Sequence, residues 1–181
     1  MQYCNPEDTP TTSTGPLGKD INGKAPQRQH QWQYASVIGM MMYLASNSRP
    51  DIAFAVHQCA RFTHCVKASH ENAVLRICKY LKGTQNDGLI LRPNKKLKVE
   101  CYADADFAGL YSAEDPEDPI CVKSRTGYVI TFLGGPILLV SKLQTDTALS
   151  TLHFEYVSLS QSLRDWLPIK DLLQERIFGK L

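Results

Sequence analysis

The stretch Tyr102-Ala103-Asp104-Ala105-Asp106-Phe107-Ala108-Gly109 puts two carboxylates two positions apart at the end of a strand-like run. Residues two apart on a strand face the same side, so Asp104 and Asp106 would present paired hard oxygen ligands. A carboxylate at the mouth of a buried strand loses hydration free energy unless a cation or hydrogen bonds compensate it. A divalent metal ion is one partner of matching chemistry, and a turn-capping pair is the other pattern these residues fit. A second constellation is cationic. Arg76, Lys79 and Lys82 recur at i, i+3 and i+6, opposite an apolar helical face. Such a stripe can rest on phosphates and supply sequence-independent, salt-sensitive affinity, or it can simply be a solvated face. His57, His64 and His70 fall on different predicted helices and do not make a metal site. No glycine-rich phosphate loop, nucleophile triad or heptad run occurs.

The elements that must carry these residues can be read from periodicity. Residues 1–30 are rich in Pro, Thr, Gly and Lys with no apolar period, and read as a linker or extended tail. Three amphipathic helices are expected over residues 31–88. The first aligns Tyr34, Val37, Ile38, Met41, Leu44 and Ala45, with Met40, Met41 and Met42 read as helix packing. The second follows Pro50, a suitable early helical residue, and aligns Ile52, Ala55, Val56, Cys59 and Phe62. The third starts near Ser69, aligns Ala73, Val74, Ile77, Tyr80 and Leu81, and ends at Gly83 as a C-cap.

From residue 89 the period changes to that of strands. "GLILRPN", "LKVECYAD", "RTGYVITFLG" and "PILLVSKLQ" are the candidates, with "GGP" (134–136) as the turn between the last two. An acidic excursion, "LYSAEDPEDPICVKS", separates the second from the third. A final helix is expected from about Ala148 to Ile177, kinked at Pro168. Helices, then an antiparallel meander, then a helix indicate an α+β fold with two sub-regions.

Composition sets the outer bounds. A chain of 181 residues, 43% hydrophobic and 21% charged, suits one ordinary domain or a small domain with an appendage. No apolar run approaches the roughly 18–20 residues of a membrane span, and the N-terminus lacks a basic-then-apolar leader pattern, so an intracellular protein is expected. Six scattered cysteines without a CxxC pair read as small buried residues in a reducing compartment, with neither a disulfide framework nor a zinc site. Net charge is only +2, yet residues 61–98 carry nine Lys/Arg against two acids, and residues 100–118 carry seven acids and no base. That asymmetry suits a protein that grips a polyanion beside metal-binding carboxylates, and equally suits two ordinary solvated faces.

Taken in order, "YASVIGMMMYLASNSRPDIAFAVHQCARF", "RICKYLKGT", "YADADFAG", "KSRTGYVITFLGGP", "VSKLQT" and "ALSTLHFEY" closely resemble the C-terminal part of a copia-type retrotransposon Pol polyprotein. The resemblance spans about residues 31–177. It implies that residues 31–88 correspond to the end of the reverse transcriptase, and residues 89–181 to the first part of a ribonuclease H-like domain. The fold it implies is a helical segment followed by a truncated ribonuclease H-like sheet of three antiparallel strands with a packed helix.

The same resemblance implies an activity and a site. The activity is cleavage of RNA in RNA–DNA hybrids by two Mg²⁺ or Mn²⁺ ions, which promote in-line attack by water and stabilise the leaving oxygen. Asp104 and Glu155 fall where the family's catalytic, metal-binding acids fall, with Asp106 as a further possible ligand. Ala105, Ala108 and Gly109 would leave room for a nucleic-acid backbone. Arg76, Lys79, Lys82 and Arg125 are the candidate nucleic-acid contacts; Arg125 either faces the acidic site or pairs with it. The implied partners are the hybrid and the remainder of the reverse transcriptase polyprotein, with no membrane, in a cytoplasmic virus-like particle or the nucleus.

Departures from the family pattern are visible. Phe107 replaces a usual tryptophan, as does the "ILLV" before Ser141-Lys142, and His153 replaces an acid two residues before Glu155. His153 is open to a phosphate or metal contact, or to neutral drift. The third and fourth acids of the family's site have no match, since Asp165 and Asp171 lie on the last helix. Two expectations therefore stand side by side: a ribonuclease H-type nuclease completed by sequence downstream, and a catalytically inactive remnant serving as a nucleic-acid-binding or structural module.

Overall fold

The computed structural model describes residues 4–11, 17–19, 24, 26–88, 98–106, 120–147 and 150–177. Within these, the order is α1 (Tyr34–Asn47), a 3-10 turn (Pro50–Ile52), α2 (Ala53–Ala60), α3 (Ala68–Gly83), β1 (Val99–Asp106), β2 (Arg125–Phe132), β3 (Gly135–Leu143) and α4 (Thr151–Ile177). The protein is a mixture of helices and one open, antiparallel three-stranded sheet in the order β1-β2-β3. The described residues form two compact units, one of residues up to 88 with 120 and 121, the other of 98–106, 122–147 and 150–177. No described helix is long and apolar enough to cross a membrane. The strand expected in "GLILRPN", Phe107 to Gly109 and the acidic run from Glu114 to Asp118 lie outside the described residues.

In the first unit, apolar spacing translates directly into burial. Tyr34, Ile38, Met41 and Ala45 of α1 are buried, as are Ile52, Ala55, Val56, Cys59 and Phe62 around α2, and Val74 and Ile77 of α3. Each large apolar side chain so removed from water contributes about 1.5–3 kcal/mol. Of the three consecutive methionines only Met41 packs inside; Met40 is 65% exposed, because neighbours on a helix point about 100° apart. Tyr34 donates from its hydroxyl to the Cys59 carbonyl at 2.9 Å, tying α1 to α2. The α1-to-turn corner is closed from α3. Arg49 spans Asp51 (2.7 Å) and both oxygens of Thr84 (2.6 and 2.9 Å), while Tyr80 donates to Asp51 (2.7 Å). The "SRPD" and "LKGT" motifs are therefore two halves of one polar joint.

In the second unit, β1 and β2 pair as Tyr102↔Val129, Asp104↔Gly127 and Asp106↔Arg125, and β2 and β3 as Tyr128↔Val140 and Gly127↔Ser141. The hairpin turn is Leu133-Gly134, with φ of 54° and 83°. It is one residue earlier than "GGP", because Gly135 already pairs with Phe132. Two left-handed residues in a row match the right-handed strand twist. Register slips between Ile130 and Thr131, opposite Leu138 and Pro136, where the proline supplies no N–H and a bulge accommodates it. Thr126, Tyr128 and Ile130 are buried beneath α4, which contributes Phe154, Ser158 and Ser162 at intervals of four. α4 begins at Thr151, with Ser150 accepting the His153 N–H (3.2 Å) as N-cap, and it continues unbroken through Pro168.

Candidate functional site

Strand alternation decides where the carboxylates go. Cys101, Ala103 and Ala105 oppose Ile130, Tyr128 and Thr126 on the face that α4 covers, so Tyr102, Asp104 and Asp106 occupy the other face, with Arg125, Gly127 and Val129. Asp104 lines an open hollow of about 370 Å³ with Tyr102, Gly127, Val129, Leu139 and Ser141. Asp106 stands opposite Arg125 in the register, and the Arg125 guanidinium reaches Ser141 Oγ at 3.5 Å.

Glu155 comes to the same strand from the helix side. It lies in the first turns of α4, exposed, and lines a separate hollow of about 260 Å³ with Ala103, Leu152, Tyr156 and Leu159. One turn later, Ser158 Oγ donates to the Asp104 main-chain carbonyl at 2.8 Å, fixing α4 at the level of Asp104. Asp104 and Glu155 thus flank β1 at the same height and open into different hollows. Among the described residues no three His, Cys, Asp or Glu side chains converge as metal ligands. The oxygen donors have the right hardness for Mg²⁺, and among the described residues no third acid joins them. His153 sits exposed on the first turn, and Asp165 accepts a short hydrogen bond from the Tyr128 hydroxyl, a structural role.

The basic stripe belongs to the first unit. Arg76 and Lys82 hold the N-terminal segment. Arg76 pairs with Glu7 at 2.9 Å and donates to the Thr9 carbonyl and hydroxyl at 3.1 and 3.0 Å. Lys82 donates to the Cys4 carbonyl at 2.8 Å. Lys79 lies between them on the same helix. Residues read as a tail are thus laid along α3, and Gly83 is required for close approach, since a Cβ there would stand 2.8 Å from Pro6 Cβ. It is the last helical residue, followed by Thr84 as C-cap.

The N-terminal end of α3 holds the same segment more firmly. The Glu71 carboxylate is 2% exposed and accepts the Gln29 N–H (2.9 Å), the His30 N–H (3.3 Å) and His30 Nδ1 (3.0 Å), with Arg28 Nε at 3.4 Å. Burial alone would raise its pKa; the hydrogen bonds from His30 and Gln29 outweigh burial and hold it down to about 2. Beside it, His70 stacks on Phe62, accepts the Lys67 N–H at Nδ1 (3.1 Å) and donates from Nε2 to the Gly18 carbonyl (2.9 Å). Burial lowers its pKa. Ala68 N–H to Pro26 O (3.0 Å) completes the clasp.

Sequence reasoning passed over Glu71, Ser158 and Gln144, and weighed His70 only as a metal ligand. Gln144 is 1% exposed and joins Thr126 Oγ1 and the Phe154 carbonyl, each at 3.0 Å, while its N–H meets the Ser124 carbonyl at 2.8 Å. The available signal was polar residues at core positions of the helical and strand periods, which require partners. None of the six cysteines is in a disulfide, but only Cys59 and Cys121 are buried and Cys65 is exposed, so the uniform burial expected of them does not hold.

No protein-family model matches the chain, and no solved structure matches it. Several curated proteins are similar to it. The Retrovirus-related Pol polyprotein from transposon TNT 1-94 of Nicotiana tabacum is 39% identical over 78% of this chain and 10% of its own length. The Retrovirus-related Pol polyprotein from transposon RE2 of Arabidopsis thaliana is 30% identical over 97% of this chain and 11% of its own. The Secreted RxLR effector protein 161 of Plasmopara viticola is 34% identical over 76% of this chain and 92% of its own. The chain therefore spans about a tenth of the length of the polyproteins it matches.

Proposed function

From the premise that this chain belongs to the copia-type retrotransposon Pol polyprotein family, we propose that residues 31–88 are the end of its reverse transcriptase and residues 89–181 the opening part of a ribonuclease H-like region. In this reading the chain binds RNA–DNA hybrid and does not cleave it alone. The observation that carries it is the β1–α4 junction. A three-stranded antiparallel meander presents Asp104 from its first strand, and the following helix is pinned to the Asp104 carbonyl with Glu155 one turn earlier. Two divalent ions, in a complete site, would supply the nucleophilic water and stabilise the leaving oxygen. Two carboxylates opening into separate hollows support at most one weakly held Mg²⁺ or Mn²⁺, so no cleavage step is assigned to the chain. Work inside a virus-like particle or the nucleus fits the family.

The test incubates a labelled RNA–DNA hybrid with the 181-residue chain in Mg²⁺ and in Mn²⁺, with Asp104→Asn as control. Binding without cleavage is expected, as is weak Mg²⁺ binding by calorimetry that Asp104→Asn removes. Cleavage abolished by that substitution would overturn the non-cleaving reading; unchanged Mg²⁺ binding would move the ion elsewhere. The reading as a self-standing binding module, distinct from a segment of an enzyme, is favoured by the effector relative, nearly all of whose length is matched.

A further inference from the structure

We infer that residues 4–11 are a releasable intramolecular competitor that occupies the phosphate-binding face of α3. The inference rests on the hybrid-binding reading above and adds a regulatory element to it. Three observations carry it. First, the segment meets the cations as a phosphate backbone would: the Glu7 carboxylate lies 2.9 Å from Arg76 Nη1, the Thr9 carbonyl and hydroxyl take its other two nitrogens, and the Cys4 carbonyl caps Lys82 at 2.8 Å. An anionic group flanked by oxygen acceptors, spread over two turns of a basic helix, is the pattern that successive phosphates present.

Second, the segment is held in two grades. Residues 26–30 are fixed by a carboxylate 2% exposed and by main-chain hydrogen bonds. Residues 4–9 are held by side chains that water reaches, Arg76 and Glu7 being 25% and 33% exposed, and ion pairs of that kind contribute only about 0.2–1 kcal/mol each. The clasp therefore stays while the leading segment detaches. Third, Gly83 lets Pro6 lie against α3, at a spot where a methyl group would collide with it. The docking is shape-specific as well as electrostatic. Detachment would release Arg76 and Lys82, with Lys79 between them on the same helix.

Two substitutions in the full chain separate the charge from the shape. Glu7→Gln removes the anion, and Gly83→Ala pushes Pro6 away without changing any charge. Binding of a fluorescently labelled RNA–DNA hybrid is followed by anisotropy across a salt series. Each variant should bind about two- to fivefold more tightly than wild type, the range set by a screened ion pair. The log–log salt slope should steepen by roughly 0.7–0.9 for each additional phosphate that the uncovered cations neutralise. Adding Arg76→Gln to Glu7→Gln should erase the tighter binding. If the combined Arg76, Lys79 and Lys82 alanine variant loses binding while Glu7→Gln and Gly83→Ala leave it unchanged, the competitor inference fails and the hybrid-binding face stands. If the triple variant binds as wild type does, the basic face is not the hybrid site and both fall.

Discussion

Replacing Glu71 by glutamine tests the clasp most directly. The carboxylate is 2% exposed and receives the main-chain N–H groups of Gln29 and His30 and the His30 ring. Its pKa falls from 4.5 to about 2. At about 1.36 kcal/mol per unit, that depression corresponds to about 3 kcal/mol of stability. The sign follows from the direction: a depressed carboxyl stabilises the fold above its unfolded pKa of 4.5, and the contribution disappears as pH falls through about 2. Glutamine keeps the size, loses the charge and turns an N–H₂ group toward two N–H donors. Glu71→Gln should therefore cost about 3 kcal/mol at neutral pH, and the gap to wild type should close between pH 4.5 and 2. The chain has two tryptophans, Trp32 in the first unit and Trp166 in the second. In a Trp166→Phe background, Trp32 fluorescence during urea titration reports the first unit alone, next to the clasp, since Arg28 lies 5.0 Å over its ring. A loss below about 0.5 kcal/mol, or one that does not shrink at low pH, would refute the argument.

Arg49→Ala leaves the Thr84 carbonyl without its Arg49 donor and Asp51 with Tyr80 alone, and should cost about 1–3 kcal/mol by denaturant titration; Arg49→Lys should recover little, because an ammonium cannot span three acceptors in a fork. Gln144→Ala strands Thr126 Oγ1 and the Phe154 carbonyl and should cost a similar amount, read from Trp166. Leu133→Gly removes a left-handed leucine at φ 54° and should stabilise the hairpin by about 0.5–1 kcal/mol in thermal melts. Burial depresses His70 below its usual 6.5, so the stability it gives as a neutral ring is lost as pH falls below 6.5; His70→Gln should flatten that decline in Trp32 fluorescence.

Periodicity made the fold legible wherever one face was apolar. The α2 face Ile52, Ala55, Val56, Cys59 and Phe62 is buried as spaced, and Asp104 sits on a strand paired with Tyr128's strand as the alternation required. What escaped was polar and long-range. Nothing in the composition of residues 1–30 distinguishes a free tail from one anchored by Glu71, because the anchor is a single buried carboxylate 41 to 43 residues away. The hairpin turn was displaced by one residue because two glycines offered themselves and the sheet used Leu133 in place of the second. For the candidate site, the residue types were legible and their convergence was not: β1 alternation turns Asp104 away from the α4 face beside which Glu155 stands.

The antiparallel course of the N-terminal segment along α3 also sets an order of events in time. Its contacts join residues 41 to 78 positions apart, whereas α1, α2 and α3 follow one another through short connections. Lengthening a closed loop about twofold costs only about 0.6 kcal/mol more chain entropy, so equilibrium stability suffers little from this layout. Rates are another matter, because distant contacts wait until local ones have formed. The three helices should assemble first and the leading segment should dock onto a finished α3. On a ribosome, residues 4–30 would emerge before α3 and find their binding surface only after Gly83 had been synthesised. Substitutions at Glu7 or Arg28 should then speed unfolding and leave the folding rate almost untouched, whereas Val74 or Ile77 substitutions should slow folding.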